Sequence, residues 1–420
     1  MPERPPLILR ARLVLPIRRP PIENGAVVIR GDRLVAVGRW RSLRGRYAGE
    51  IHDLGEVILL PGLVNAHCHL DYTDMAGLFP PLRRFTDWIK LITTEKAQWT
   101  FSDYAKSWLN GADMLVRSGT TTVADIEAVP ELLPDVWSAT PLRVFSFLEM
   151  TGVRSRRNPD SILREAADKI DSLPKRRCNA GLSPHAPYST TPKLLRRCAT
   201  TARRRKWRIV THVAESVAEF EMFLHGRGEM FDWLKRNQRP MTDCGKHSPI
   251  KHLAQAQLLG SNLLAVHVNY LVPGDIALLA RKHVSVVHCP RSHDFFQHQE
   301  FPVNELAEAG VNLCLGTDSL ATVTKKPRQS VALNLFTEMR QFAAKHPDMP
   351  AEQILRMATV NGAQALGLAG DIGELRRGAF ADLIALPFAG KAAGSYAAVL
   401  EHSGDVTASL IDGHWAIGGK

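Results

Sequence analysis

Cysteine is sparse in this 420-residue chain, and its six residues are scattered along the sequence. None forms a C-x-x-C pair, the spacing that would indicate a metal or redox site. Several lie in apolar, strand-like runs, where buried free thiols are common. The pattern argues against a disulfide framework and favours a reducing compartment.

Long apolar runs are also missing. No segment approaches the ~20 apolar residues that a membrane-spanning helix needs. Proline and arginine interrupt the apolar stretch at the start of the sequence, MPERPPLILRARLVLPI, which makes it a poor signal peptide. We therefore expect a cytoplasmic protein that does not associate with a membrane.

Acidic residues are outnumbered, 42 against 53 lysines and arginines, which gives a formal charge of +11. The excess lies in short basic runs on predicted helices or at their ends, without interleaved glycine or aromatic residues. Such runs are typical of solvated helix faces rather than of a nucleic-acid surface. They are Arg176-Arg177, Arg196-Arg197 and Arg203-Arg204-Arg205-Lys206. We expect a small-molecule partner and no nucleic acid, with a modest attraction for anionic substrates.

The composition, 45% hydrophobic and 23% charged, is that of a soluble globular protein. The length suits a barrel of typically ~250 residues plus a smaller unit. Continuous apolar runs, typical of strands buried on both faces, alternate with amphipathic helical stretches. The runs are Val57–Val64, Thr120–Ile126, Leu142–Met150, Asn179–Ser183, Trp207–Val213, Leu263–Val268, Val284–Cys289 and Val311–Gly316. Eight alternating β/α units predict an α/β fold, a closed (β/α)8 TIM barrel. The alternative is a doubly wound open sheet, but the sequence has no glycine-rich phosphate loop after the first predicted strand.

Short β-rich segments occupy both ends of the chain, with a hairpin-type connection at Gly31-Asp32. They predict one small β-sandwich built from both ends. The segments are Leu7–Leu15, Gly25–Arg30, Arg33–Val37, Ala381–Leu386 and Ala408–Trp415. The predicted division of the chain is therefore 1–56 and 373–420 for the sandwich, and 57–372 for the barrel.

Histidine and aspartate stand at the ends of predicted barrel strands, where TIM barrels gather their active sites. His67 and His69 flank one cysteine at the end of the first strand, so both side chains point to the same side. His212 ends the fifth strand and Asp318 follows the eighth. Three imidazoles and one carboxylate suit Zn²⁺ or Fe²⁺. We predict one divalent metal ion, Zn²⁺ in preference to Fe²⁺, with a position open for water whose pKa falls toward ~7.

Glu215 lies three residues beyond His212, where the chain leaves the strand. Its alternative interpretation is an ordinary exposed residue at a helix start. Activated water that attacks a ring carbon needs a group to carry its proton to a ring nitrogen and a leaving amine. Glu215 is our candidate for this shuttle. His267, which ends the sixth strand, is predicted to orient the water, and Asp318 to touch the metal and accept the proton.

Several strings resemble the amidohydrolase superfamily in its mononuclear aminohydrolase branch. They are PGLVNAHCHLD, SPHAPYSTTP, THVAES, HCPRSH, GTDSLAT and GELRRGAFADLIAL, and together they span nearly the whole chain. That branch includes cytosine, guanine and S-adenosylhomocysteine deaminases and triazine chlorohydrolases. The resemblance implies the metal ligands His67, His69, His212 and Asp318, with Glu215 and His267 catalytic. No lysine that could be carboxylated to bridge two metals occurs in the predicted fourth strand, CNAGLSPHAP, which favours a single ion.

The resemblance also suggests substrate contacts. His185 of the PHAPY motif matches a position that contacts the sugar in related nucleoside deaminases; bracing the site is its alternative role. Trp88, in FTDWIKLITTEK, matches an aromatic residue that packs on substrate, with helix-core packing as the alternative, and Glu95 is the candidate for a nearby carboxylate. Glu149 ends the third strand at the barrel mouth. Arg291 of HCPRSH is the candidate contact for an anionic group, unless it pairs with an acid in the barrel wall.

The insertion over 226–252 and the string FTDWIKLI resemble aminodeoxyfutalosine deaminases of the alternative menaquinone pathway. This resemblance implies an adenine nucleoside that bears a benzoate and loses its amino group at purine C6. His293 stands where many relatives carry asparagine. A guanine-, cytosine- or S-adenosylhomocysteine-type deaminase, a triazine-type chlorohydrolase and a non-catalytic barrel that binds a ligand or nucleic acid are the alternatives. The oligomeric state is left open, a homo-oligomer included.

Overall fold

A computed structural model describes residues 5–82, 84–153, 157–174, 176–326 and 328–418. Within these residues the strands form two eight-stranded sheets, one parallel and one mixed. In chain order the strands are β1 (Leu7–Val14), β2 (Ile22–Arg30), β3 (Arg33–Arg39), β4 (Glu50–Asp53), β5 (Val57–Pro61), β6 (Leu63–Cys68), β7 (Thr120–Glu127), β8 (Arg143–Met150), β9 (Asn179–Pro184), β10 (Ile209–Val213), β11 (Leu263–His267), β12 (Ser285–His288), β13 (Asn312–Leu315), β14 (Leu383–Pro387), β15 (Ala408–Ile411) and β16 (His414–Ile417).

Helices follow each barrel strand. The α-helices of the described residues are α1 (Trp40–Leu43), α2 (Phe85–Lys96), α3 (Phe101–Arg117), α4 (Leu133–Ala139), α5 (Pro159–Ser172), α6 (Pro192–Arg205), α7 (Val217–His225), α8 (Glu229–Arg236), α9 (Pro249–Gln255), α10 (Asp275–Arg281), α11 (Pro290–Phe295), α12 (Val303–Glu308), α13 (Leu335–Lys345), α14 (Ala351–Met357), α15 (Val360–Leu366) and α16 (Ser395–Glu401). Short 3₁₀ segments cover Leu70–Met75, Pro130–Leu132, Leu320–Thr322 and Ala392–Gly394.

The parallel sheet runs from β6 to β13 with neighbours in sequence order. Its two end strands meet through a bridge between Cys68 and Asp318. The backbone N–H groups of Thr317 and Asp318 also donate to the carbonyl of His67, at 3.0 and 3.1 Å. Residues of β6, β10 and β11 are buried without exception, as expected for strands covered on both faces. The predicted (β/α)8 barrel is confirmed, and the open doubly wound sheet is wrong.

The mixed sheet joins both ends of the chain in the order β16-β15-β14-β5-β1-β2-β3, with β4 beside β1. One sequence expectation is corrected here. The apolar run 57–64, predicted as a single barrel strand, is divided: β5 pairs with β1 and β14 in the mixed sheet, and only β6 enters the barrel. Gly62 lies between the two strands. A side chain at this position would overlap that of Thr121, so the position requires glycine. The division of the chain at residues 56 and 372 stays a prediction, with β5 belonging to the mixed sheet.

A buried ion pair connects the two sheets. The guanidinium of Arg143, at the start of β8, donates to Asp382 at 2.9 Å and to Asp412 at 3.0 Å, next to β14 and β15. The side chains of Arg143 and Asp382 are at most 4% exposed. Because both partners are removed from water, the pair holds the barrel wall against the mixed sheet in one arrangement.

The six cysteines are free and buried, as their apolar surroundings indicated. The basic residues of α6 are exposed, and Arg205 pairs with Asp171 at 2.6 Å on the surface. In the described part of the chain, none of the helices has the length and apolar character to span a bilayer.

Candidate metal centre and active site

Three histidines meet where barrel strands β6 and β10 end. His67 lies within β6, His69 directly follows it, and His212 lies in β10. One ring nitrogen from each of the three histidines lies within 4.8 Å of the other two, and all three residues are buried. The Nε2 atoms of His69 and His212 are 3.3 Å apart. The alternation of side chains along β6 places His67 and His69 on one side, as the H-x-H spacing predicted.

Asp318 completes this cluster from beyond β13. Its Oδ1 lies 3.6 Å from Nε2 of His67 and 3.7 Å from Nε2 of His69. Burial alone would raise the pKa of Asp318, but the histidines around it outweigh burial and hold that pKa well below its usual range. The group is therefore a carboxylate. Its backbone φ of 52° lies in the left-handed region, a strained conformation that non-glycine residues adopt mainly where surrounding contacts enforce it.

The tautomer of His212 follows from its hydrogen bond. Its Nδ1 lies 2.9 Å from the backbone carbonyl of His185, and a carbonyl only accepts, so Nδ1 carries the proton. Burial, with further contributions from neighbouring histidines, lowers the pKa of His212 well below its usual value. The ring is therefore neutral, and Nε2 presents a lone pair to the cluster. This arrangement is the usual one for a metal-binding histidine.

The other two imidazoles also fit a cation. Burial lowers the pKa of His69 to about 3, so its ring is neutral as well. Neither ring nitrogen of His67 has a hydrogen-bond partner among the described residues, although both are buried. Buried polar atoms without partners are uncommon in native proteins. Three convergent imidazole nitrogens beside one carboxylate are the donor set that suits a divalent ion such as Zn²⁺.

Glu215 is buried rather than exposed, so its alternative interpretation as an ordinary surface residue is wrong. Its Oε1 lies 3.5 Å from Nε2 of His267. The backbone holds it from both sides: its N–H donates to Glu219 at 2.9 Å, and its carbonyl accepts from Asn269 at 2.9 Å. Burial, followed by the charges of Asp318 and Glu219, raises the pKa of Glu215 well above its usual range. The side chain can therefore hold a proton near neutral pH, as a proton carrier must.

His267 is also buried and neutral, since burial lowers its pKa to about 3. Its φ is 76°, a second strained residue at a strand end. Asn269, two residues further, was missed by sequence reasoning. It donates to the carbonyl of Glu215, and its Oδ1 lies 3.1 Å from Nδ1 of His293. Its place two residues after a candidate catalytic histidine was the signal that could have found it.

A cavity of ≈ 330 Å³ opens above this cluster. Of the proposed substrate contacts, the structure brings Trp88, His185 and Glu149 to its wall. Trp88 has a buried indole N–H without a hydrogen-bond partner in the described chain. His185 contacts Ser189 through Nδ1 at 2.7 Å, and its Nε2 lies 4.0 Å from Glu149.

Glu149 is an ionised group in this wall. Burial would raise its pKa, but the ammonium of Lys96, followed by the neighbouring imidazoles of His185 and His69, lowers that pKa below its usual value. The insertion over 226–252 also reaches the cavity, because Trp233 and Leu234 of α8 line it. The cavity thus combines aromatic and apolar walls with a few charged groups, as small-molecule sites do.

The sequence pattern of the amidohydrolase family matches residues 58–416 of this chain. The chain belongs to the amidohydrolase family. It is 33% identical over 391 residues to a 5-methylthioadenosine/S-adenosylhomocysteine deaminase of Syntrophobacter fumaroxidans, with 87% of this chain and 80% of the relative covered.

Two solved structures extend the comparison. An adenosine deaminase from Xanthomonas campestris with bound zinc has a TM-score of 0.84 at 25% identity, covering 99% of this chain and 94% of that one. Helicobacter pylori aminofutalosine deaminase has a TM-score of 0.86 at 21% identity, covering 98% and 100%, which shows the shared fold. The family match and the sequence relative make the protein a hydrolase of carbon–nitrogen bonds, a deaminase.

Two proposed contacts of this amidohydrolase lie elsewhere. Glu95 is outside the cavity wall and accepts a hydrogen bond from Trp99 at 3.1 Å. Consecutive helical residues are about 100° apart, so α2 turns Lys96 to the cavity instead, together with Trp88 and Thr93. Sequence reasoning missed Lys96, although it is the direct neighbour of Glu95.

Arg291 is the second correction. Its backbone N–H donates to Glu338 at 3.0 Å, and its guanidinium pairs with the same carboxylate. Glu338 is fully buried, so it needs this cation and holds it in the barrel wall. Arg291 lines a separate cavity outside the histidine cluster. The pairing alternative, rather than anion steering, describes what the structure shows.

We expect Arg291→Met to lower stability without changing substrate preference. The variant leaves the Glu338 carboxyl buried without its cation, which typically costs about 3 kcal/mol or more of unfolding free energy. Urea unfolding measures this loss. Arg227→Met is the control, because Arg227 pairs with Glu221 on the surface and should change stability little. A selective loss of activity on carboxylated substrates, with stability unchanged, would contradict the structural role.

Proposed function

We propose that this amidohydrolase removes the 6-amino group of adenine nucleosides by hydrolysis. A water oxygen becomes bonded to purine C6, the bond from C6 to the amino nitrogen breaks, and ammonia leaves. One observation carries the proposal. The histidine–carboxylate cluster and the protonatable Glu215 form the floor of a cavity whose wall presents Trp88 and His185. The relatives named above, deaminases of adenosine-type nucleosides, support the same chemistry.

The metal proposed for this site is one divalent ion, Zn²⁺ in preference to Fe²⁺. His67, His69, His212 and Asp318 would hold it, because their donor atoms converge and neither ring nitrogen of His67 has another partner among the described residues. When bound, such an ion acts as a Lewis acid that makes water nucleophilic at neutral pH.

The chain's own residues move the protons. Glu215 donates a proton to a ring nitrogen and carries one to the leaving amine, because its raised pKa lets it alternate between acid and base. Asp318, a carboxylate, accepts a proton from the attacking water. His267 is neutral and orients that water beside Glu215, 3.5 Å away. These roles divide proton acceptance and donation between two carboxyl groups with pKa values shifted in opposite directions.

The walls would bind the nucleoside. Trp88 offers an aromatic face for the purine and an unpartnered N–H. His185 and Glu149, 4.0 Å apart, would contact the ribose hydroxyls, since one can donate and the other accepts.

Within adenine nucleosides, our preferred substrate is 6-amino-6-deoxyfutalosine, whose 5′ substituent carries a benzoate. The support is the insertion over 226–252, which reaches the cavity through Trp233 and Leu234. This choice places the enzyme in menaquinone biosynthesis. The second candidate is a deaminase of 5-methylthioadenosine and S-adenosylhomocysteine, favoured by the 33% identical relative.

The experiment is a substrate panel. Adenosine, 5-methylthioadenosine, S-adenosylhomocysteine and 6-amino-6-deoxyfutalosine are followed by the purine absorbance change on deamination. Guanine, cytosine and a chlorotriazine are assayed beside them for release of ammonia or chloride. Turnover of one or more adenine nucleosides with ammonia release is the expected result. Turnover of the chlorotriazine alone, or of guanine or cytosine alone, would overturn the proposal.

A further inference from the structure

A single ammonium faces the proposed substrate. Among the described residues that line the cavity, Lys96 is the one lysine or arginine, and it lies at the last turn of α2. The other charged groups on this wall and floor, Glu149, Glu215 and Asp318, are acidic. Among the described side chains of the wall, an anionic substrate group would therefore find one attractive charge, that of Lys96.

The ammonium of Lys96 forms no ion pair with the described residues. It donates to the hydroxyl of Tyr72 and lies 4.7 Å from the centroid of that ring. In the part of the chain that the structure describes, no carboxylate oxygen lies within 4.0 Å of it. This contrasts with Arg291, whose guanidinium is paired to the buried Glu338. Lys96 can thus take a ligand oxygen without breaking a salt bridge.

Glu149 makes this cation decisive for an anionic substrate. Its carboxylate lines the same wall and has no direct ion pair with Lys96. A substrate carboxylate would be repelled by Glu149 and Asp318 and attracted by Lys96. Because charges in a partly desolvated cavity interact more strongly than in water, removing the ammonium weakens the attraction for a substrate carboxylate.

We infer that Lys96 is the residue that selects adenine nucleosides whose 5′ substituent ends in a carboxylate. The inference rests on the proposed function. It covers two sources of the same chemistry, an aromatic carboxylate and the carboxylate of an amino acid.

A purely structural role is the competing explanation. Tyr72, the hydrogen-bond partner of Lys96, stacks on the imidazole of His69 with ring centroids 5.2 Å apart. Lys96 could therefore act by holding Tyr72 against a candidate metal ligand. That role affects every substrate alike, whereas carboxylate selection affects only the carboxylated ones.

The test compares kcat/KM of the wild type and Lys96→Met on S-adenosylhomocysteine, 6-amino-6-deoxyfutalosine and 5-methylthioadenosine. The last shares the 5′ thioether of S-adenosylhomocysteine and lacks the carboxylate. Losing a hydrogen bond to a charged group lowers efficiency about tenfold to a hundredfold. We expect this loss, mainly as a rise in KM, on at least one carboxylated nucleoside and little change on 5-methylthioadenosine. The substrate that responds identifies the aromatic or the amino-acid source.

Two variants sharpen the result. Lys96→Arg keeps the positive charge and should retain the preference for carboxylated nucleosides. Lys90→Met makes the same change on the same helix but at an exposed lysine paired with Asp87, so it should leave all three substrates unaffected. Equal losses on all three nucleosides for Lys96→Met would overturn the selection role while leaving the proposed function intact. A wild type that deaminates none of them, and not adenosine either, would overturn the proposed function itself.

Discussion

Glu215→Gln is expected to lower kcat by ~10²–10⁴-fold while the protein keeps its metal ion. The substitution preserves the size of the side chain and one hydrogen-bonding oxygen but removes the group that carries a proton. Glu215 does not belong to the group of residues whose donor atoms converge on the proposed ion, which consists of three histidines. It lies instead beside His267, at 3.5 Å, where a proton carrier is needed. Elemental analysis and steady-state kinetics on the same preparation measure the two properties together.

The matched control is Glu221→Gln. Glu221 lies on α7, directly after the Glu215 loop, but its carboxylate is paired with Arg227 at 2.7 Å on the surface. This variant should keep both metal and activity. A metal-loaded Glu215→Gln protein with more than about a tenth of wild-type activity would contradict the shuttle role. Loss of metal in that variant would instead make Glu215 a ligand.

Much of the site was accessible from sequence because a barrel converts strand ends into neighbours. The four candidate metal ligands lie far apart in the sequence, yet each lies at the end of a barrel strand on the same rim of the barrel. They are His67, His69, His212 and Asp318. The alternation of side chains along a strand then decides which of them point inward. Burial of Glu215 could not be deduced in this way, since the same pattern also describes an exposed helix start.

The errors have equally local causes. The run 57–64 is continuously apolar because β5 is buried in the mixed sheet and β6 in the barrel. Burial on both faces produces the same pattern in either sheet, and only Gly62 marks the passage between them. On α2, the prediction was displaced by one residue: Glu95 was chosen, whereas Lys96, about 100° further around the helix, faces the cavity. The partner of Arg291 is Glu338, which lies on α13, so no motif near Arg291 in the sequence indicated this pair.

His212→Ala is expected to remove most of the bound metal and to lower activity about 100-fold or more, since the Lewis acid is worth several kcal/mol of barrier. His212 presents Nε2 to the cluster because Nδ1 is committed to the carbonyl of His185, at 2.9 Å. Alanine leaves His67 and His69 as the remaining nitrogen donors beside Asp318. Elemental analysis should give one divalent ion per wild-type chain and far less in the variant.

A second measurement separates metal loss from misfolding. A bound ion stabilises the folded state by mass action, so a chelator should lower the Tm of the wild type. The Tm of His212→Ala should lie near that of the chelated wild type and respond little to the chelator. His225→Ala, which removes an exposed histidine at the end of α7, should behave as the wild type in both assays. Two ions per wild-type chain would contradict the mononuclear assignment. No ion after reconstitution, with Tm indifferent to chelator and to added zinc, would show that the converging histidines do not form a metal site.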